Sequence, residues 1–163
     1  MVEMRVEAVA HVSRRRQAAL LRERDGQRTA QVVVGPGTAS WLAAHLAHVP
    51  LARPGTHLIA LGALARLGGR LRQTVVDRGP AGAPCAFLEL DTAAGLVEVG
   101  CGPEDAVAFA AAAGVGVLLH PDLLALGTAA PSAPEPRAPA DRAKPADPGP
   151  ATAPGPAGAG PPG

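Results

Sequence analysis

The last part of the chain, residues 128–163, limits the folded protein to the residues that precede it. This segment contains eleven of the eighteen prolines and consists mostly of Ala, Pro and Gly. It has few apolar side chains to bury, and each proline lacks a backbone N–H donor, so the composition predicts a disordered tail. Residues 1–127 remain as one domain. A domain of this length buries roughly two-thirds of its unfolded surface, which is enough for a single core.

Residues 2–12 alternate apolar and polar side chains with a period of two, the pattern typical of a half-buried strand. Strands are predicted at residues 2–12, 18–23, 28–34, 70–77, 85–90, 96–100 and 115–119. The Asp25-Gly26 pair predicts a tight hairpin, because Gly tolerates the positive φ that two-residue turns require. The strands therefore group into two antiparallel meanders, and the short strand at 115–119 stands apart.

Gly and Pro residues separate these strands from helices. A first helix follows the break at Gly35-Pro36-Gly37. Thr56 is predicted to cap a second helix, which ends at Gly68-Gly69. Pro103 fits the first turn of a third helix, where its missing N–H is not needed. The pattern predicts an α+β fold in which about three helices pack on the two meanders.

The bulk properties favour a cytoplasmic protein. A net charge of +1 is too small to indicate a polyanionic partner by itself. Cys85 and Cys101 are the only cysteines, and such sparsity is typical of a reducing compartment. The longest apolar run, residues 106–119, is interrupted by two glycines. It is also shorter than the ~20 residues that a membrane span needs, so no membrane partner is predicted.

The first helix carries the only tryptophan of the chain. Its apolar residues fall on one arc that should pack on the sheet: Ala39, Leu42, Ala43, Leu46 and Val49. Trp41, His45 and His48 recur at three- and four-residue steps and share a different face. Because buried aromatic residues dominate association surfaces, we expect this face to be the interface of a homo-oligomer. A zinc site that combines His45 and His48 with His57 is a weaker alternative, because no fourth ligand is evident.

Three motifs, in this order, resemble the bifunctional nuclease domain family. Its members carry an I-G-x-x-E-A motif that opens a helix, an R-P-x-T-H-D corner, and an S-D-A-[IV]-A-L-A motif that opens a later helix. The corresponding stretches are residues 34–39 (VGPGTA), 53–58 (RPGTHL) and 104–110 (EDAVAFA). The resemblance extends over residues 4–126. It implies an α+β domain that cleaves both DNA and RNA and assembles as an oligomer.

The matching positions include residue types suited to phosphodiester chemistry. Arg53 can bind a phosphate in bidentate fashion next to Thr56, and His57 can act as a general acid or base near neutral pH. Glu104 and Asp105 can act as catalytic carboxylates or hold a divalent metal, Mg²⁺ or Mn²⁺. The alternative is structural: a capping Thr56, a solvated Arg53, and two acids that stabilise the start of a helix.

Two positions depart from the family pattern. Thr38 stands where the first motif has a glutamate, and Leu58 stands where the corner has an aspartate. Two functions therefore stay open. One is a nuclease that acts on DNA and RNA with weakened or lost activity, and the other is a non-catalytic α+β module that associates with itself or with another protein.

The first hairpin is basic, which bears on the choice between these functions. Its arginines are Arg14, Arg15, Arg16, Arg22, Arg24 and Arg28. They can contact the phosphates of a nucleic acid. However, the hairpin lacks the aromatic residues with which single-strand binders stack on bases, and its acids dilute the charge. A solvated hairpin is the preferred interpretation.

Overall fold

A computed structural model gives the structure of residues 1–13, 16–79 and 82–124. The predicted tail, residues 128–163, lies outside these described residues. The described residues form the following strands and helices: β1 (Val2–Ser13), β2 (Arg16–Glu23), β3 (Thr29–Val34), α1 (Pro36–Leu46), α2 (Thr56–Arg66), β4 (Arg70–Arg78), β5 (Pro84–Thr92), β6 (Gly95–Cys101), α3 (Pro103–Ala113), β7 (Val117–Leu119) and α4 (Pro121–Leu124).

The strands pair in one mixed sheet with the order β3-β2-β1-β7-β4-β5-β6. Both predicted meanders are present, as β1-β2-β3 and β4-β5-β6. The short strand β7 joins them, because it pairs antiparallel with β1 and parallel with β4. The predicted α+β fold is thus confirmed, and the two meanders form one continuous sheet.

The core lies between the sheet and the helices α1 and α3. Its fully buried side chains include Met4, Leu21, Leu42, Val107 and Val117. Helix α3 is central, since it contacts α1, α2 and strands from both meanders. Three of its four buried residues are alanines, whose small side chains let the helix backbone approach the sheet closely.

Helix α1 matches the predicted apolar arc only in part. Ala39 and Leu42 are buried as predicted, whereas Ala43 is exposed. Val49 is also exposed, since α1 ends at Leu46 and Val49 is not part of the helix. The end of the arc was therefore predicted wrongly.

Helix α2 lies nearer the surface than its apolar sequence indicates. None of its residues is buried, and Leu67, just after its end, is 84% exposed. The predicted cap was also wrong: Gly55 is the N-cap, and Thr56 is the first helical residue, with no side-chain hydrogen bond to the helix start. The predicted end is confirmed by Gly68, whose φ of 77° lies in the left-handed region that favours glycine.

The sheet order brings three helix starts to one region. Helix α1 begins directly after β3, and α3 begins directly after β6. The start of α2 lies against the start of α3 through a contact between His57 and Asp105. This region, where α1, α2 and α3 begin, contains the candidate site. No helix among the described residues is long and apolar enough to cross a membrane.

Candidate functional site

The two adjacent acids at the start of α3 contact two different helices. The Thr38 hydroxyl of α1 donates a hydrogen bond to the carboxylate of Glu104. His57 Nε2 of α2 lies 3.6 Å from Asp105 Oδ1. That distance is too long for a hydrogen bond, but the two groups attract each other whenever His57 is protonated. The candidate catalytic residues His57 and Asp105 therefore meet, although they are distant in the sequence.

Glu104 lies against the start of α1 because Gly35 has no side chain. A Cβ on Gly35 would be 3.2 Å from Glu104 Oε1, which is closer than most Cβ contacts. The first turn of α1 contains no acid of its own. The carboxylate of Glu104 supplies the negative charge that favours a helix N-terminus, and Thr38 holds it there.

Aromatic rings surround His57, and its side chain is 15% exposed. The rings of His57 and Phe109 meet edge to face: their centroids are 4.8 Å apart, and the angle between their planes is 86°. The Trp41 ring lies 5.3 Å from the His57 ring and is tilted by 43°. We call Trp41, His45, His57 and Phe109 the ring cluster. Because the rings restrict the imidazole from two sides, they favour one orientation of His57 relative to Asp105.

The other end of the ring cluster is also held in place. His45 stacks on Trp41, with centroids 4.9 Å apart and an angle of 14° between the planes. His45 Nε2 lies 3.1 Å from the backbone oxygen of Ala111, within hydrogen-bonding distance. The cluster thus links α1, the start of α2 and α3 through side chains that have little freedom to move.

Gly55 makes this arrangement possible. A Cβ at this position would be 2.3 Å from Trp41 Nε1 and 2.7 Å from Trp41 Cδ1. The indole therefore packs directly on the backbone of the residue that caps α2. The indole N–H is buried, and it has no hydrogen-bond partner among residues 1–13, 16–79 and 82–124, an arrangement that costs stability.

The structure does not bring the two predicted substrate-binding residues into this cluster. Arg53 is exposed in the segment before α2, and within the described ranges it forms no ion pair. Thr56 is exposed at the first position of α2. Both lie within four residues of His57 in the sequence.

The three residues of the predicted association face, Trp41, His45 and His48, do not all lie on α1. Trp41 and His45 stack on one another, but His48 lies beyond the end of α1. The φ of His48 is 53°, a left-handed conformation that takes it off the helical spacing. The prediction that the three residues share one helix face is therefore wrong. Their role as an oligomer interface stays a prediction.

A comparison with family profiles decides which group of proteins this chain resembles. The profile described as "Bifunctional nuclease domain" matches residues 19–130, more than half of the chain. The chain belongs to this family. No curated protein matches it. The matched residues include the ring cluster, Glu104 and Asp105, but they begin in β2, so β1 lies outside the match.

In this bifunctional nuclease domain, sequence reasoning missed Phe109 and Cys101. Phe109 follows Asp105 by four residues, and that spacing places both on one side of α3. The spacing is the signal that identifies Phe109 as a neighbour of His57. For Cys101 the sequence carries no such signal, because its surroundings come from the packing of α3.

Cys101 is the more protected of the two cysteines of the domain. Burial raises the pKa of the Cys101 thiol, and the negative charge of Asp105 raises it further, while a hydrogen bond from the Ala106 backbone lowers it. Cys85 is exposed. The raised pKa reduces the thiolate fraction of Cys101 at neutral pH, and the thiolate is the reactive form.

We therefore expect iodoacetamide at pH 8 to label Cys85 well before Cys101, as measured by mass spectrometry of the digested protein. In Asp105→Asn the charge that disfavours the thiolate is gone, so Cys101 should be labelled faster while Cys85 is unchanged. Equal labelling rates of the two cysteines in the unmodified domain would contradict the surroundings that we assign to Cys101.

The side chains within residues 1–13, 16–79 and 82–124 do not form a cluster suited to a resident metal ion. Among the described residues, no group of three or more His, Cys, Asp or Glu side chains could hold one. Glu104 is held by Thr38, and Asp105 lies by His57, so the two carboxylates serve different helices. The zinc set predicted from the sequence, His45, His48 and His57, is not found as such a group among the described residues.

For this reason we expect EDTA to leave the Tm of the purified domain unchanged, because a structural metal would have to be removed for the Tm to fall. The measurement is thermal unfolding followed by circular dichroism, with and without EDTA. A lower Tm in EDTA that Mg²⁺ or Mn²⁺ restores would show that the domain holds a metal after all.

The basic hairpin is partly neutralised by its own acids. Arg22 Nε lies 2.5 Å from Glu7 Oε2, and Arg28 Nε lies 2.7 Å from Glu23 Oε2. The hydrogen bond with Glu23 raises the pKa of Arg28 above its usual value. Such exposed pairs add little to stability, because water and salt screen the attraction between the charges. They nevertheless reduce the positive charge that this hairpin presents to a nucleic acid.

Proposed function

We propose that this domain hydrolyses phosphodiester bonds of DNA and RNA, with His57 as the group that transfers the proton. The observation that carries the proposal is the contact between His57 Nε2 and Asp105 Oδ1 at 3.6 Å. Imidazole is the side chain that changes its charge between pH 5 and pH 8, so it suits both halves of an acid–base cycle. Membership of the bifunctional nuclease domain family supports nucleic acid as the substrate.

In this proposal the proton passes through His57 Nδ1, because Nε2 faces Asp105. Nδ1 accepts a proton from water, the water oxygen forms a bond to phosphorus, and the P–O bond to the leaving oxygen breaks. The imidazolium then returns the proton to the leaving oxygen. The carboxylate of Asp105 stabilises the imidazolium between these steps, as an oriented acid does beside a catalytic imidazole.

The remaining candidates take supporting roles. We assign Arg53 and Thr56 to binding the phosphate, because both are exposed within the four residues before His57 and a guanidinium binds phosphate oxygens in bidentate fashion. We assign Glu104 to positioning α1 and α3 relative to each other, since Thr38 of α1 donates a hydrogen bond to one of its two carboxylate oxygens. No step is derived through a metal ion.

The test is cleavage of end-labelled single-stranded DNA, double-stranded DNA and RNA by the purified protein, followed on denaturing gels. Each substrate is incubated with Mg²⁺, with Mn²⁺ or with EDTA. We expect cleavage products that grow with time and with protein concentration. Absence of products from all three substrates under all three conditions would overturn the proposal.

A second function, a non-catalytic module that associates with itself, is favoured by one observation. Apolar side chains are exposed where the chain leaves α1, at Val49 and Leu51, and again at Ile59. Exposed apolar groups of this kind mark association surfaces when they are contiguous. Multi-angle light scattering separates the two functions: a mass that rises with concentration, in a protein that cleaves no substrate, supports the second.

A further inference from the structure

A cavity of about 890 Å³ lies beside the two acids at the start of α3. Its walls come from the ends of β1, β3, β4 and β7, the starts of β2, β5 and α3, and α4. Val32, Val76 and Leu119 are buried apolar residues of the wall. Polar groups lie around them, including Arg16, Glu104 and Asp105. An apolar cavity of about 300–1,000 Å³ with a few convergent polar groups is the usual form of a small-ligand site.

The chemistry of the wall suits a planar, partly polar ring. Two prolines, Pro84 and Pro103, and several aliphatic side chains offer flat apolar contact. The carboxylates of Glu104 and Asp105 accept hydrogen bonds from amino groups, such as the exocyclic amino group of cytosine. The guanidinium of Arg16 can bind a phosphate in bidentate fashion. A nucleobase attached to a sugar phosphate has these features together.

Asp105 connects this cavity to the proposed site of proton transfer. It lines the cavity, and it lies 3.6 Å from His57, which is absent from the cavity lining. A strand whose scissile phosphate lies at His57 would therefore have a neighbouring base within reach of the cavity. A base in a duplex cannot enter, because its partner strand covers the edge that Glu104 and Asp105 would contact.

We propose that this cavity binds one unpaired nucleobase next to the scissile phosphate, so that the substrate class is single-stranded nucleic acid. The inference rests on the proposed function, because it takes the position of the phosphate from His57. It goes beyond that function by assigning a base-binding site and by excluding intact duplex as the preferred substrate.

Two matched tryptophan variants test the cavity. Val33 lies on the edge strand β3, lines the cavity and is 53% exposed. Val99 lies on β6, the edge strand at the other end of the sheet, and is 43% exposed. Tryptophan is favoured in strands, so both substitutions should preserve the fold. Only Val33→Trp should fill the cavity.

Binding is measured in the His57→Ala background, so that cleavage does not consume the probe. The probes are fluorescein-labelled oligonucleotides of DNA and RNA, single-stranded and duplex, followed by anisotropy. We expect the single strands to bind about tenfold more tightly than the duplexes. Val33→Trp should weaken single-strand binding by about tenfold, and Val99→Trp should leave it unchanged. Cytidine monophosphate should compete with the oligonucleotide, whereas inorganic phosphate at the same concentration should not.

The outcomes separate this inference from the proposed function. If Val33→Trp binds single strands as well as Val99→Trp does while cleavage still depends on His57, the cavity is not the base site and the nuclease proposal stands. If Val33→Trp weakens binding but the unmodified protein cleaves nothing, the base site stands and the nuclease proposal falls. Equal binding of single strands and duplexes would overturn the inference.

If Val33→Trp has a lower Tm, Val12→Trp replaces it, because Val12 also lines the cavity and is 52% exposed.

Discussion

Replacing His57 by Ala is expected to lower the rate of cleavage of DNA and RNA by about 10²–10⁴-fold, the usual contribution of a positioned acid or base. The physical reason is that no other described imidazole lies beside Asp105, so nothing takes over the proton. Initial rates on single-stranded DNA and on RNA, measured at saturating substrate, give the effect on kcat. His11→Ala is the matched control, because His11 is an exposed histidine of β1 outside the candidate site.

The packing of His57 calls for a second variant. Its ring touches Trp41 and Phe109, so removal of the ring leaves a space that lowers stability by itself. His57→Phe retains a ring in that space but has no nitrogen to transfer a proton. We therefore expect His57→Phe to keep a Tm near that of the unmodified protein and to lose cleavage as fully as His57→Ala does. Cleavage by His57→Phe at the unmodified rate would remove His57 from the mechanism.

Replacing Gly55 by Ala is expected to destabilise the domain by about 1–3 kcal/mol, the range typical of an added group in a well-packed site. The new Cβ would be 2.3 Å from Trp41 Nε1, so the indole has to move. Trp41 cannot move alone, because it is stacked on His45 and lies against His57. The backbone itself tolerates alanine, since the φ of Gly55 is −65°. The destabilisation is therefore a packing effect and not a conformational one.

Gly62→Ala is the control, and it should change the stability of the domain in the opposite direction. Gly62 lies inside α2, and a Cβ there would meet nothing within 4 Å. Alanine is better than glycine in a helix interior by about 1 kcal/mol, so Gly62→Ala should stabilise the domain. Urea unfolding followed by circular dichroism measures both variants. A Gly55→Ala protein as stable as the unmodified domain would show that the ring cluster is less tightly packed than its distances indicate.

The ring cluster connects these two expected results. A displaced indole in Gly55→Ala would no longer hold the His57 ring in its position relative to Asp105. The variant should therefore also lose part of its cleavage activity under conditions in which it stays folded. One contact, the packing of Trp41 on the backbone of Gly55, would then affect both the stability and the cleavage activity of the domain.

The elements that depend on local patterns were predictable from the sequence. Alternation and the Asp25-Gly26 turn indicated the first meander, and that meander is present. Pro103, followed by two acids, marked the start of α3 correctly. Each of these signals acts over a few residues, because turn geometry and helix capping depend on neighbouring backbone atoms.

Other features depended on residues far apart in the chain. The end of α1 was predicted too late, since helical spacing continues through His48 in the sequence but the backbone leaves the helix there. Thr56 has the side chain of a cap, yet Gly55 takes that place because the indole of Trp41 requires a residue without a Cβ. At the start of α2, the packing of Trp41 outweighs the capping preference of Thr56, which is worth about 1 kcal/mol.

Local sequence patterns were enough to predict the strands of both meanders, the start of α3 and the residue types of the candidate site. Three features came from long-range packing: β7 joins the two meanders, His57 meets Asp105, and Phe109 and Trp41 enclose the imidazole. Propensity and turn chemistry act between neighbours in the chain, whereas contacts between helix starts arise only when a shared core is buried.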